Sequence, residues 1–489
     1  MNTTDKFARL AALRPARGAV EMPAALRAPD ECDPISQLLG GGIAHNHYGE
    51  HLAIRNWFST PEFSEPSAIA LDLLTKAPIR QESASGRYKP RSGPPQKDGP
   101  YTPMNGPPQK VGPYNGRTND ESVSRRTRAA VQNPEKWLFL DTETTGLAGG
   151  TGTYAFLVGL AWWDAGGLQV EQLFLRDFSE EHSLLHELAA RLAERPVLVT
   201  FNGKSFDWPL LENRFTMTRA IRVPTLAAHL DLLHPARALW KLRLGSVRLV
   251  ELERHVLDAA KLGWHREDDV SSALIPQFYF DYLRGGSAMP LAGVVKHNQM
   301  DLRGLAALFG KINSLLDEHA AAHQDADSLD LFGLSRYLNR RGQQERAHSM
   351  CAQALGAGLP AAFQPMATRE LAIMARRRGD VEKAASLWQE LVQHPQDGAA
   401  ACEHLAIYYE RNARDLGRAV EFAELALAKI QRQCAHSRDP YAAARAARAE
   451  KKLLCRLERL RHRIQTRERR PQASLLAQAA AAGAGTKAR

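Results

Sequence analysis

Cysteine is scarce in this chain, with five residues among 489 and no CxxC pair. Zinc sites and disulfide scaffolds need closely spaced cysteines, so the sequence predicts neither, and free thiols fit a reducing compartment. Long hydrophobic runs are also missing, because YAFLVGLAWW has about half of the ~20 residues that cross a membrane. No apolar core follows the charges of the N-terminus, which predicts no secretory signal. We therefore expect a soluble, cytoplasmic protein.

Basic residues outnumber acidic ones, with 64 Lys and Arg against 54 Asp and Glu, a net charge of +10. This excess favours an anionic partner such as nucleic acid but does not determine the fold. The hydrophobic content of 44% suits globular domains, and 489 residues are too many for one core. The sequence therefore predicts two or three domains.

The first quarter of the chain is poor in regular patterns. Residues 79–125 are dominated by Pro, Gly, Ser, Lys and Arg, and GPPQKDGPY at 93–101 returns as GPPQKVGPY at 106–114. Such a composition buries too little apolar surface to offset its ordering entropy, which predicts a disordered linker over 79–132. The repeat could be a binding motif, although a spacer is the preferred interpretation. No role is assigned to residues 1–78, in which short strands or helices are expected.

Strands and helices alternate over residues 133–318. Strands are predicted at WLFLDTE, TYAFLVGLAWW and LQVEQLFLR, with DAGG joining the last two as a hairpin. An amphipathic helix follows with Ser179 as its N-cap, then the strand PVLVTF, a helix opened by SFDWPLLENRF and a fifth strand at HLDLL. The remainder is helical, with Pro290 near the start of the last helix. This pattern predicts a mixed α/β sheet with flanking helices.

After residue 325 the strand pattern disappears. Three stretches at 334–355, 371–391 and 405–427 resemble one another, with offsets of 37 and 35 residues between equivalent alanines. A helix–turn–helix unit that recurs near 34 residues indicates a tetratricopeptide-like solenoid, which we predict over 325–465. A disordered basic, Ala-rich tail is expected over 466–489.

The most basic segment is a predicted helix at 441–470, with eleven basic and three acidic residues, a net charge of +8. It could grip phosphates or form a solvated cap on the solenoid. Leu453, Leu457, Leu460 and Ile464 follow helical spacing, which favours packing on one face.

Two carboxylates end the first of these strands, in WLFLDTETTG. Asp141 and Glu143 are two residues apart, so they point to one face of the strand. Acids this close repel unless a cation lies between them, and oxygen-rich sites favour Mg²⁺ or Mn²⁺. The alternative is an acid pair that the neighbouring threonines cap in an exposed turn.

Further acids follow at other strand and helix ends. Asp207 begins the helix after PVLVTF, where Asn202 could hold the turn; its alternative role is to favour the helix dipole. His297 and Asp301 are four residues apart and share one helix face. That face could simply be the polar side of an amphipathic helix, but the flanking apolar runs predict burial, and buried acids are seldom unpaired.

Taken in order, these stretches resemble the motifs of the DEDD superfamily of 3′–5′ exonucleases, which have a ribonuclease-H-like fold. DTETTG resembles the first motif and carries over Asp141 and Glu143 as metal ligands. NGKSFDWPLL resembles the second motif and carries over Asp207, with Asn202 and Phe206 as supporting positions.

HNQMD resembles the third motif and carries over Asp301 as the last ligand and His297 as the residue beside the attacking water. The superfamily usually has His five residues before this Asp, or Tyr four before it, whereas here a His stands four before it. One residue turns a helical side chain by about 100°, so the resemblance does not fix the direction of His297. The resemblance covers about residues 137–316. With its C-terminal repeats, the chain looks closest to bacterial YprB-like ribonuclease-H-like proteins with tetratricopeptide tails.

The resemblance implies a divalent-metal-dependent 3′–5′ exonuclease that acts on single-stranded ends. Two Mg²⁺ or Mn²⁺ ions about 4 Å apart would bridge the scissile phosphate. One, held by Asp141, Asp207 or Asp301, would activate a water, whose proton His297 takes or orients. The other, shared by Asp141 and Glu143, would stabilise the leaving 3′-oxygen, and the product would be a nucleoside 5′-monophosphate.

Two alternatives stay open beside the exonuclease. In one, a nuclease-fold module without strong activity binds nucleic acid or recruits a protein partner through its helical repeats. In the other, the same fold and metals serve a structure-specific endonuclease. The sequence does not distinguish DNA from RNA. Asp231 in HLDLLHP is a further supporting candidate, with a structural role at the strand end as its alternative.

Overall fold

The computed structural model describes residues 34–59, 68–75, 129–146, 152–164, 166–259, 266, 269–317, 326–435 and 440–484. The predicted linker over 79–132, including its repeat, lies outside the described residues up to position 128. The predicted fold class is confirmed: a mixed α/β sheet with flanking helices precedes a helical C-terminal region.

The sheet contains seven strands. Their bounds are β1 Gly42–Asn46, β2 Gly49–Ser59, β3 Trp137–Thr144, β4 Ala155–Asp164, β5 Gly167–Phe174, β6 Val197–Thr200 and β7 Ala228–Asp231. The spatial order is β1-β2-β5-β4-β3-β6-β7. In this spatial order, each strand from β1 through β2, β5 and β4 to β3 is antiparallel to the next. Strands β3, β6 and β7 are parallel to one another. The carboxyl ends of these three parallel strands therefore meet at one edge.

Two strands come from the region to which the sequence assigned no role. In β2 the apolar run from Leu52 to Ile54 is buried, and the strand pairs with β5 from Leu52 opposite Phe174 to Ser59 opposite Gly167. The predicted hairpin of β4 and β5 is confirmed, with Asp164 opposite Gly167. Gly166 in its turn has φ +77, a conformation that glycine adopts without steric cost.

Eight helices accompany the described part of the sheet. Their bounds are α1 Pro34–Leu39, α2 Ala68–Thr75, α3 Glu181–Glu194, α4 Asp207–Thr218, α5 Leu233–Leu244, α6 Leu249–His255, α7 Ile275–Leu283 and α8 Met289–Leu316. The prediction of Ser179 as a helix N-cap was wrong. The Asp177 side chain accepts the Ser179 N–H at 2.9 Å, which creates a 3-10 turn, and α3 begins only after it, at Glu181.

The long helix α8 carries the third acidic motif along the sheet. It is buried on its apolar positions, and Phe309 meets Trp137 and Phe139 edge-on with ring centroids 4.8 and 5.7 Å apart. Full burial of one such side chain contributes about 1.5–3 kcal/mol relative to exposure. This packing sets the position of His297 and Asp301, which lie two to three turns earlier on the same helix.

Every element of the described C-terminal region is a helix. The bounds are α9 Ser328–Arg340, α10 Gln344–Gly356, α11 Gln364–Arg377, α12 Val381–Glu390, α13 Gly398–Arg411, α14 Leu416–Ala435 and α15 Pro440–Ala484. The first six pack as three successive pairs that coincide with the three similar sequence stretches. Among the described helices none is both long and apolar enough to cross a membrane.

The last helix differs from the expectation at its end. Leu453, Leu457 and Leu460 are buried, so the predicted leucine stripe packs inward, and the helix contacts α14. The chain stays helical to Ala484, whereas a disordered tail was expected from 466. The run of alanines explains the difference, because alanine has the highest intrinsic helix propensity.

The α/β region and the helical region share a packed boundary. Helix α9 lies against α5 so closely that a Cβ at Gly333 would collide with the Leu239 carbonyl. Arg243 pairs with Asp330 at 2.8 Å, and the Tyr337 hydroxyl donates to the Leu73 carbonyl at 3.2 Å. These contacts fix the first helical pair against the edge of the sheet that ends in β7.

Candidate active site

Strand β3 brings the first two acids to the end of a buried strand. Its residues Trp137 to Leu140 are fully buried, and Asp141 and Glu143 follow where the strand becomes half-exposed. The register with β4 shifts between Glu143 and Thr144. Such an irregularity changes the direction of the strand at the point where its acids are presented.

A side-chain network from α8 and β5 fixes Asp141. Asn298 donates to the Asp141 Oδ2 at 2.9 Å, and its own Oδ1 accepts from Gln172 at 2.8 Å. Asn298 and Gln172 are both buried. Gly159 on β4 makes this possible, because a Cβ there would collide with the Asn298 amide. The carboxylate is therefore held from outside its own strand.

Asp207 is the first residue of α4 and points back to β3. Its Oδ1 accepts from Thr142 Oγ1 at 2.5 Å. The helix itself is anchored by a buried ion pair, because Arg214 makes two hydrogen bonds to Glu181 at 2.5 and 2.6 Å. The sequence prediction that Asp207 lies beside the strand acids agrees with this position.

The loop before α4 is held by Asp231. Its carboxylate accepts the backbone N–H groups of Asn202 at 2.8 Å, Lys204 at 3.2 Å and Leu233 at 3.0 Å. Asn202 has φ 70, in the left-handed region. Asp231 is buried, and its three bonds assign it a positioning role for the loop that leads to Asp207. Phe206, the other supporting candidate, is 60% exposed.

His297 points into the acid cluster. Its Nδ1 lies 2.7 Å from Asp269 Oδ1, while its Nε2 lies 3.9 Å from Glu143 Oε1 and 3.7 Å from Asp301 Oδ2. A carboxylate on Nδ1 fixes the ring and leaves Nε2 directed at the acids. The unusual spacing of four residues between His297 and Asp301 thus still directs this side chain into the site.

Arg266 gathers three acids on the other side of the cluster. It donates to Glu253 at 2.6 and 2.7 Å, to Asp269 at 2.9 Å and to Asp301 at 2.5 Å. We call Glu253, Asp269 and Asp301 the arginine side of the cluster, and Asp141, Glu143 and Asp207 the strand side. The two sides meet at His297.

The strand side carries carboxyl groups that resist ionisation. Burial, followed by the charges of Asp301, Asp207 and Glu143, raises the pKa of Asp141 well above its usual range. Burial and neighbouring carboxylates raise the pKa of Glu143 in the same way. For Asp207 burial raises the pKa, although the bond from Thr142 opposes it. These shifts show that the acids share one electrostatic environment.

The arginine side shows mixed effects. The bonds from His297 and Arg266 outweigh burial and lower the pKa of Asp269. Burial raises the pKa of Glu253 to about 7 in spite of its two bonds from Arg266. Burial disfavours the charge of Arg266, but its acidic partners raise its pKa, so the guanidinium stays charged.

The donor set of the strand side suits a divalent metal ion. Carboxylate oxygens are the ligands that Mg²⁺ and Mn²⁺ prefer, and a cation would relieve the repulsion that raises these pKa values. Among the described residues, no three His, Cys, Asp or Glu side chains are arranged to hold an ion as they stand. Each of Asp141, Asp207 and Asp301 has one carboxylate oxygen on a side-chain donor, and its other oxygen is the one that could meet an ion.

Sequence reasoning missed several members of this site. Asn298 stands next to His297 in the third motif, and its amide beside a buried histidine was a usable signal. Asp269 and Arg266 belong to the charged stretch HREDDV, which has no periodicity to mark it. Gln172 lies within a strand, where a single polar residue carries no distinctive pattern. The roles of Arg266, Asp269 and Gln172 follow from tertiary contacts alone.

This arrangement agrees with the comparisons to known proteins. Residues 138–313 match the model of the RNase_H superfamily. The chain is also 30% identical over 314 residues to the uncharacterized protein YprB of Bacillus subtilis (strain 168), which covers 63% of this chain and 73% of that protein. The chain therefore belongs to the YprB family and contains a ribonuclease-H superfamily domain.

Proposed function

We propose that this protein is a divalent-metal-dependent 3′–5′ exonuclease that hydrolyses phosphodiester bonds at single-stranded nucleic acid ends. The observation that carries the proposal is the convergence of four acids: the charges of Glu143, Asp207 and Asp301 act on buried Asp141, and His297 Nε2 faces Glu143 and Asp301. Four acids from three separate stretches of the chain are costly to assemble unless a cation and a phosphate use them.

The proposed metal ligands are Asp141, Glu143, Asp207 and Asp301, for Mg²⁺ or Mn²⁺. Bound there, such ions would lower the pKa of a water and offset charge on the phosphate. His297 would accept the proton of the attacking water at Nε2, because Asp269 occupies Nδ1. The distances of 3.7 and 3.9 Å from Nε2 to Asp301 and Glu143 exceed hydrogen-bond length, so Nε2 is not bonded to either acid.

Side chains behind the acids would position them. Asn298 and Gln172 hold Asp141, and Asp231 holds the loop that leads to Asp207. The helical pairs would extend the substrate path or recruit a partner, in the manner of tetratricopeptide-like repeats. A cytoplasmic location stays a prediction.

The test is cleavage of 5′-labelled single-stranded DNA and RNA by purified protein with Mg²⁺ or Mn²⁺. We expect stepwise shortening that Asp141→Asn abolishes and that Asp164→Asn, an exposed acid at the end of β4, leaves unchanged. Cleavage of a circular substrate, which has no free end, would indicate endonuclease rather than exonuclease action. No cleavage of either nucleic acid under either metal would overturn the enzymatic function and leave a binding or scaffolding module.

A further inference from the structure

A large cleft lies between the α/β region and the first helical pair. Its volume is about 1040 Å³, and its walls come from the loop after β6, from β7 and α5 on one side and from α9 on the other. Six basic side chains line it, and we call this set the basic cleft: Lys204, Arg237, Lys241, Arg336, Arg340 and Arg341.

The basic residues share faces of their helices. Arg237 and Lys241 are four apart on α5, and Arg336 and Arg340 are four apart on α9, so each pair presents its charges in one direction. The two helices pack against each other through Gly333. The tertiary fold thus brings together basic residues that are nearly a hundred residues apart in the sequence.

Most of this charge is not neutralised. Within the described part of the chain no acidic side chain lies within ion-pair distance of Lys204, Arg237, Lys241, Arg340 or Arg341. Arg336 is paired with Glu370 at 3.3 Å. The other acid of the cleft, Asp231, is already occupied by backbone N–H groups.

One donor in the cleft lacks an acceptor. Arg341 lies over the Tyr337 ring at 4.8 Å, and its buried Nη1 has no hydrogen-bond partner among the described groups. This atom is therefore available to bond an oxygen of a ligand in the cleft. Planar guanidinium groups are well suited to phosphate.

The cleft begins next to the acid cluster and continues along the helical region. Lys204 stands three residues before Asp207, in the loop that Asp231 holds. At the far end, Arg336 and Arg340 also line a smaller cavity of about 250 Å³ together with Arg369 and Arg377 of α11. Basic residues therefore extend from the loop before Asp207 onto the second helical pair, where Glu370 pairs with Arg336 and Asp397 pairs with Arg369.

We propose that the basic cleft binds the sugar–phosphate backbone of a single-stranded nucleic acid and leads its end to the acid cluster. The cations supply repeated phosphate contacts, and the half-buried Phe363 in the lining supplies aromatic surface. The inference rests on the proposed nuclease function for the direction of the strand, but binding itself needs no cleavage.

The test measures binding of a fluorescein-labelled oligothymidylate and oligouridylate of about 20 nucleotides, longer than the ~4–16 that one single-strand groove covers. EDTA is present, so that nothing is cut. Arg237→Gln/Lys241→Gln changes the α5 wall, and Arg340→Gln changes the α9 wall. Lys451→Gln/Lys452→Gln on α15 is the control, because both lysines are exposed and lie on the most basic segment of the sequence.

Each lost phosphate contact lowers the slope of log affinity against log salt by about 0.7 for single strands. We expect the α5 double variant to lose about 1.4 in slope and the single variant about 0.7, with affinity at low salt falling about tenfold for the double variant. The control should stay within about twofold of the unsubstituted protein. Cleft variants that bind like the unsubstituted protein, or a control that loses as much, overturn the proposal, as does a failure of the unsubstituted protein to bind either strand.

The same proteins separate the two proposals. With Mg²⁺ or Mn²⁺, the cleft variants should raise KM and keep kcat, because uniform binding is lost. Cleavage with unchanged KM overturns the cleft and leaves the exonuclease intact. Binding through the cleft without any cleavage by the unsubstituted protein overturns the exonuclease and leaves the cleft. A fully paired duplex that binds equally well would overturn the single-strand preference.

Discussion

The two sides of the acid cluster hold three carboxyl groups each and differ in their cations. On the strand side, Asp141 accepts from Asn298 and Asp207 from Thr142, and no Arg or Lys among the described residues pairs with Asp141, Glu143 or Asp207. Burial and neighbouring carboxylates raise the pKa values of these three acids. On the arginine side, Arg266 bonds to all three acids. The difference teaches that acid count alone does not define a metal site. The proposed metal ion would therefore stabilise the strand side most.

The largest expected effect is the loss of activity when the strand side loses a charge. Asp141→Asn keeps the shape and the contact with Asn298 but removes a proposed ligand. We expect the cleavage rate to fall on the order of 10²–10³-fold or more, the range for removing one preorganised electrostatic group. The metal-free variant should also unfold at a higher temperature, because a carboxyl group that burial disfavours is gone. An active variant with unchanged stability would contradict both halves of this prediction.

On the arginine side, a substitution should destabilise the metal-free protein rather than stabilise it. Arg266→Met leaves Glu253, Asp269 and Asp301 without their cation, and Arg266 is only 10% exposed. Breaking a buried ion pair from one partner costs about 3–5 kcal/mol of the free energy of unfolding. Chemical denaturation without metal measures it, with Arg254→Met, an exposed arginine on α6, as the matched control. A loss equal to that of the control would mean that Arg266 does not balance this side.

Metal binding by the Arg266→Met variant gives a second test of the difference between the two sides. If its charge competes with an ion at Asp301, the Arg266→Met variant should bind Mn²⁺ more tightly once its fold is restored by metal. Isothermal titration of both proteins with Mn²⁺ measures this change. Equal or weaker affinity in the variant would restrict the metal site to the strand side.

His297 joins the two sides, and its support should matter less than the ligands. Asp269→Asn keeps the size of the side chain but presents the His297 Nδ1 with an uncharged partner that can also donate. Partners that orient a site residue from behind change activity by about 10–100-fold. We expect kcat to fall within that range while strand binding in EDTA stays unchanged. A fall in binding instead of kcat would assign Asp269 to the fold rather than to His297.

The residues of the strand side were easier to predict from the sequence than those of the arginine side. Asp141 and Asp207 end or follow apolar strands, and parallel strands bring such ends to one edge, so local pattern was sufficient. Arg266 and Asp269 follow no period, and neither belongs to a helix or strand of the described structure. Their contacts depend on where α6 and α8 lie. For the same reason, residues 1–78 gave no hint that β2 pairs with β5.

The basic C-terminal helix and the basic cleft differ in how many of their cations have an acidic partner. The C-terminal helix has the densest run of basic residues, yet Arg456, Arg459 and Arg463 all bond to Glu410 on α13, which only the tertiary structure reveals. The basic cleft has fewer cations, dispersed over α5 and α9, and most of them lack an acidic partner within the described chain. Counting charge along the sequence therefore does not reveal which of these cations are already paired within the described structure.

The smallest expected effect is a pH dependence of metal stabilisation. A carboxyl group whose pKa is raised in the folded protein contributes stability below its unfolded pKa, near 4, and loses that contribution as pH rises through the folded value. Asp141, Glu143 and Asp207 all shift in this direction, so the metal-free protein should lose stability as pH rises above the ordinary carboxyl range. Binding of Mn²⁺ to the ionised acids should offset the loss. The rise in unfolding temperature caused by Mn²⁺ should thus grow with pH, and it should vanish in Asp141→Asn/Glu143→Gln. A rise that is independent of pH, or that survives in this double variant, would place the ion elsewhere than on the strand side.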